Sequence, residues 1–221
     1  MIISVHVPKT GGSSFGKALK DHFGESFLRY GDGLIQERGK RCKSDLQRAI
    51  DAFDYPERFA SYGAIHGHFR PFVFLPFSKK VDVNFSVWLR DPFERMASHY
   101  RFWKMIKNPV EPHVREFAES DLTFEEFCFQ DRYRNFLSQY LCFFPMHNFD
   151  FIGCLEHYAE DLQRFSRQFI GAELQCLHRN KSVGAEVDTG LKEKFAEYHA
   201  IDYQLYEYAM KLRQQQLEKM Q

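Results

Sequence analysis

Apolar residues along this chain fall into short continuous runs and into stripes at helical spacing, and the alternation of the two sets the element order. Ile2 to Val7 reads as a strand, and Phe15, Ala18, Leu19 and Phe23 place a helix after it, so the chain opens as strand, glycine loop and helix. Gly24 to Lys43 is polar and lacks an apolar period, which predicts a surface excursion. Ser44-Asp45-Leu46-Gln47 has the form of a capping box, with Leu46, Ile50 and Phe53 on one face of the helix that follows. A short strand is expected within Ala60 to Phe69, with His66, Gly67 and His68 at or beyond its end. Pro71 and Pro76 make Arg70 to Phe77 a packed loop.

Asn84 to Leu89 is a second clear strand. Asp91 is an N-cap and Pro92 a first-turn residue for the next helix, whose apolar face is Phe93, Met96, Ala97, Tyr100 and Trp103. Lys107 to Ser120, with Pro109 and Pro112, is expected to be a loop, and Thr123 with Glu126 opens a helix reaching about Leu141. Phe149 to Leu155 returns to strand character, Glu156 to Ile170 is helical with Gly171 at its stop, and Leu191 to Met220 forms one or two helices. The expected fold is therefore α/β, a single domain over 1–221 with a mainly parallel sheet flanked by helices and ligands at the carboxyl ends of the strands. Lys9, His66 and Arg90 each follow a predicted strand and share that rim.

Charge and composition narrow the function classes. Thirty Lys+Arg against thirty Asp+Glu give a net charge of zero, so no global field favours nucleic acid or an anionic membrane, and an anion site must be local. No stretch approaches the roughly 18 apolar residues of a membrane span, and the expectation is a soluble, cytoplasmic protein. The five cysteines are scattered, without a C-x-x-C pair, and are expected to be reduced.

The local chemistry begins at the first loop, Lys9-Thr10-Gly11-Gly12-Ser13-Ser14. Glycines there let backbone N–H groups approach a ligand, the helix N-terminus attracts phosphate or sulfate, and Lys9 adds a full positive charge. The competing reading is a tight turn whose Ser is merely an N-cap. The loop is P-loop-like without being a Walker A, because Lys9 precedes the glycines, and G-x-G-x-x-G is absent.

This loop resembles the 5′-phosphosulfate loop of sulfotransferases that use 3′-phosphoadenosine 5′-phosphosulfate (PAPS), in the form found in carbohydrate sulfotransferases and their bacterial relatives. Val87 to Tyr100, with Arg90, Asp91-Pro92 and Ser98, is similar to the 3′-phosphate motif of the same family. The resemblance implies sulfuryl transfer from PAPS to an acceptor hydroxyl on a sugar or small molecule, with Lys9 to Ser14 on the phosphosulfate, Arg90 and Ser98 on the 3′-phosphate, and no metal. Weaker likenesses cover Phe151 to Glu156, the Asn180-Lys181-Ser182 segment near the nucleotide, and the Asp202 to Tyr206 helix. Golgi members carry an N-terminal membrane anchor and a longer stem that have no counterpart in this sequence, and this departure counts against a secretory-pathway polysaccharide as acceptor.

His66-Gly67-His68 allows three readings: structural imidazoles, a metal pair lacking adjacent ligands, or a general base with the pKa that proton transfer near neutrality needs. Its resemblance to the uronyl 2-O-sulfotransferases maps the base onto His66, with His68 positioning the substrate. Phe69, Phe72, Phe74 and Trp103 are candidates for an acceptor wall or for core packing. For Arg90 the alternative is an ion pair with Asp91 or Glu94. At the level of function, the rivals are a kinase-like phosphotransferase and a non-catalytic module that binds nucleotide or a partner.

Overall fold

A computed structural model describes residues 1–31, 45–109, 112–176 and 189–219. Five strands among them, β1 (Ile2–Val5), β2 (Phe27–Arg29), β3 (Ala64–Gly67), β4 (Asn84–Leu89) and β5 (Phe151–Cys154), form one sheet in the order β2-β3-β1-β4-β5, with every pairing parallel. The α/β architecture is thus the one the sequence implies. Parallel strands bury both faces, and period-two alternation divides their side chains. Ile3, Val5, Ile65, Val87, Leu89 and Ile152 face one core; Ile2, Ala64, Trp88 and Phe151 face the other, which is closed by helices α1 (Gly12–Phe23) and Tyr158–Phe165. Ser4 and His66 pair in register across β1 and β3 on this second face.

β5 is an edge strand, and side chains close it in place of a sixth strand. Ile152 N donates to Gln216 Oε1 (3.1 Å), Gln216 Nε2 to Phe149 O (3.0 Å), Arg164 Nη2 to Ile152 O, and Cys154 N to Asp161 Oδ2 (2.8 Å). Gln216 belongs to the last helix, Ala200–Glu218, which with Thr189–Tyr198 makes the expected helical tail a pair.

Several expectations change. β2 lies inside the stretch read as a surface excursion, of which residues 32–43 are outside the described residues, as is Ser44 of the capping box. Pro112–Glu119 is a helix instead of a loop, because Pro112 takes its first position, where no N–H is needed, and Val114 and Phe117 are buried one turn apart. The helix expected from Thr123 to Leu141 begins on a true Thr123/Glu126 capping box but breaks into Phe124–Cys128 and Phe136–Tyr140, with Asn135 left-handed (φ 52°). The helix Asp45–Asp54 is turned over: Leu46 is 66% exposed and Ile50 44%, while Arg48, Ala49 and Ala52 face inward.

Candidate active site

Between β1 and α1 the chain makes a tight loop through two left-handed residues, Lys9 (φ 71°) and Gly11 (φ 87°). Gly11 is the N-cap of α1, with no side-chain cap and no acidic residue in the first turn, so the Ser-as-N-cap reading falls away and the helix presents uncapped N–H groups. Thr10 is buried and donates its Oγ1–H to Val7 O (2.8 Å), which fastens the loop from inside. Ser13 is exposed at the loop surface, whereas Ser14 is buried.

Gly12 also answers a packing need that the sequence did not reveal. A Cβ there would lie 2.0 Å from Cδ2 of His6, and one on Gly16 would lie 2.5 Å from Cδ2 of His66. The two glycines let α1 settle directly onto one imidazole just past β1 and one within β3.

The end of β4 brings cations to the same rim. Arg90 leads into helix α2 (Pro92–Met105), which is capped as expected by Asp91, whose Oδ1 accepts from Glu94 N (3.0 Å). Lys9 Nζ lies 3.8 Å from the ring centroid of Phe102, and burial, then Arg90 and Arg101, lower its pKa to about 8. Among the described residues Lys9 and Arg101 make no ion pair, and Arg90 has a long contact with Glu94 (3.4 Å). The alternative reading of Arg90 as an ion-pair residue therefore has a contact, a long one to Glu94. Nε and Nη2 of Arg101 are buried without a hydrogen-bond partner.

Arg101 and Phe102 escaped sequence reasoning. They stand three and four residues past Ser98, on the same face of α2, and that spacing was the available signal.

The two histidines of the His-Gly-His segment occupy different environments. His66 is within β3, not beyond it; it is 1% exposed beneath α1, with Nδ1 2.8 Å from Ser4 Oγ. His68 is past the strand end and half-buried, with its ring stacked on His6 (centroids 4.1 Å) and its Nδ1 2.8 Å from His6 O. A carbonyl oxygen only accepts, so Nδ1 carries the proton and Nε2 of neutral His68 keeps its lone pair. Tyr140 OH donates to the same carbonyl (3.0 Å).

Of the proposed acceptor wall, Phe69, Phe74 and Trp103 belong to buried clusters, and Phe72 alone is half-open, edge-on to the 82%-exposed Phe143. Lys181 and Ser182 lie outside the described residues. No group of three or more metal-ligating side chains occurs among the described residues, and none of their helices is long and apolar enough to cross a membrane. A search of curated proteins finds no match. Comparison with protein-family models matches residues 1–209 to the sulfotransferase family. With that match spanning nearly the whole of a chain whose cations converge on an uncapped helix end, the protein belongs to the sulfotransferase family.

Proposed function

We propose that the protein transfers the sulfuryl group of PAPS to an acceptor hydroxyl, with a histidine as general base. The observation that carries this reading is the Lys9, Arg90 and Arg101 cluster beside the uncapped N-terminus of α1: cations held together with little countercharge are preorganised for an anionic ligand. The loop from Lys9 to Ser14 takes the 5′-phosphosulfate, with Thr10 bracing it and the N–H groups of Gly11, Gly12 and Ser13 facing the ligand. Arg90 and Ser98 take the 3′-phosphate, and Lys181 and Ser182 join the nucleotide site by the family resemblance. No metal is required in this scheme.

The acceptor oxygen forms a bond to sulfur as the bond between sulfur and the bridging oxygen breaks. Electrons move onto that oxygen of the leaving adenosine 3′,5′-bisphosphate, where Lys9 offsets the developing charge. The acceptor proton goes to His68 Nε2. The burial of His66 and the His68 Nδ1 contact with the His6 carbonyl favour exchanging the roles that the uronyl 2-O-sulfotransferase likeness suggests, with His66 supporting the site from within the sheet. The acceptor is a sugar or small molecule reached from the side of Phe72 and Phe143.

Calorimetry with adenosine 3′,5′-bisphosphate, AMP and ATP, alongside turnover of labelled PAPS by His68→Ala and His66→Ala, tests the reading. The bisphosphate is expected to bind most tightly, and His68→Ala to lose about 10²- to 10⁴-fold in turnover with nucleotide binding retained. Equal affinity for AMP would remove PAPS from the account. A greater turnover loss in His66→Ala would restore the original order of the histidines.

A further inference from the structure

The imidazole of His6 has no part in the scheme above, yet it touches both halves of it. His6 directly follows β1 and is 5% exposed. Its ring lies against His68 on one side (4.1 Å, planes 22° apart) and within 5.0 Å of His66 at 24°. Gly12, the first residue of α1 and part of the phosphate loop, sits so close to the His6 ring that no side chain fits between them. The backbone carbonyl of His6 accepts from both His68 Nδ1–H and Tyr140 OH.

We propose that the imidazole of His6 is a positioning residue that couples the phosphate loop to His68, so that the setting of the base follows occupation of the loop. This rests on the reading of the loop as a donor site. The ring is the physical contact between Gly12 and His68, and a shift of the helix end on binding an anion reaches the base through it. Burial, then His66, His68, Arg29 and Lys9, hold the pKa of His6 well below its ordinary value, so it stays neutral and does not oppose charge on His68. Its Nδ1 is buried without a hydrogen-bond partner, a cost that a residue serving only as filler would not carry.

The test follows the ¹⁵N imidazole signals of His68 by NMR, in wild type, His6→Ala, His6→Phe and Gly12→Ala, before and after adenosine 3′,5′-bisphosphate is added. In the wild type, His68 is expected in the Nδ1–H tautomer and to shift when nucleotide binds. In His6→Ala the free protein should show mixed tautomers, the nucleotide response should vanish although affinity stays within about threefold, and PAPS turnover should fall about tenfold or more. His6→Phe should restore the response by restoring a flat ring. Gly12→Ala, which crowds the ring from the loop side, should move the His68 signals without nucleotide, and it carries the test if His6→Ala does not fold.

Unchanged tautomer and nucleotide response in His6→Ala, or an unmoved His68 in Gly12→Ala, would overturn the coupling. Failure of the wild type to bind the bisphosphate would instead overturn the donor-site reading, and the tautomer comparison in the free protein would still decide the role of His6.

Discussion

Among the described residues, a cluster of cations beside β5 and another at the rim of β1 and β4 differ in countercharge. Beside β5, Asp161 is fully buried and accepts from Arg213 Nε (2.8 Å), Arg164 Nε (3.2 Å) and the Cys154 amide. Burial opposes the charge of Arg213, yet hydrogen bonding to Asp161 raises its pKa above the ordinary value. At the rim of β1 and β4, burial with Arg90 and Arg101 brings Lys9 down to about 8. The first cluster is paired through Asp161 and closes a sheet edge; in the second the ion pair found among the described residues is the long Arg90–Glu94 contact, and the proposed donor would add negative charge there. Pairing, more than the number of cations, separates the charge that holds the sheet edge from the charge assigned to the proposed donor.

Neutralising the centre of the paired cluster should have the largest effect. Asp161→Asn keeps the shape but strands two arginines, and an expected loss of about 3–5 kcal/mol would appear as a lowered urea midpoint with unchanged slope. A loss under about 1 kcal/mol would show that the edge does not depend on this pairing.

Lys9→Met should act in the opposite sense. Stability should hold or rise, since an uncompensated half-buried charge is removed, while sulfuryl transfer falls about 10²- to 10³-fold. A stability loss as large as that of Asp161→Asn would erase the distinction between the clusters.

The smallest effect is in protons. Because free Lys9 titrates near 8 and a bound anion favours its charged form, nucleotide binding should take up a fraction of a proton at about pH 8.5 and little near pH 7. Calorimetry in buffers of different ionisation enthalpy measures this uptake, which should disappear in Lys9→Met. Uptake that persists in the variant would assign the titration to another group.

The placement of the candidate site's residues was legible where short-range chemistry dictated it. Gly11, Lys9, Arg90 and the Asp91 cap all sit at junctions between strong periodic elements, and the sequence locates such junctions well. His66 and His68 were harder, because moving the end of β3 by a residue or two decides which imidazole enters the sheet. β2 has three residues, too few for an alternation to register. Helix Asp45–Asp54 misled because its inward face is lined by Ala49 and Ala52, which permit close approach, while its larger apolar residues face out. Arg101 looked like an ordinary solvated helix residue, and only the approach of Lys9 to the neighbouring Phe102 gives it a context.

The closure of β5 also bears on how the chain comes off the ribosome. Ile152 and Gln216, which meet at that edge, are separated by 64 residues. At about 5–20 residues per second, roughly 3 to 13 s pass between synthesis of the strand and synthesis of the side chain that satisfies it. During that interval the nascent sheet offers a row of open amides and carbonyls to any extended segment nearby, and a neighbouring nascent chain could add a strand there before the last helix arrives.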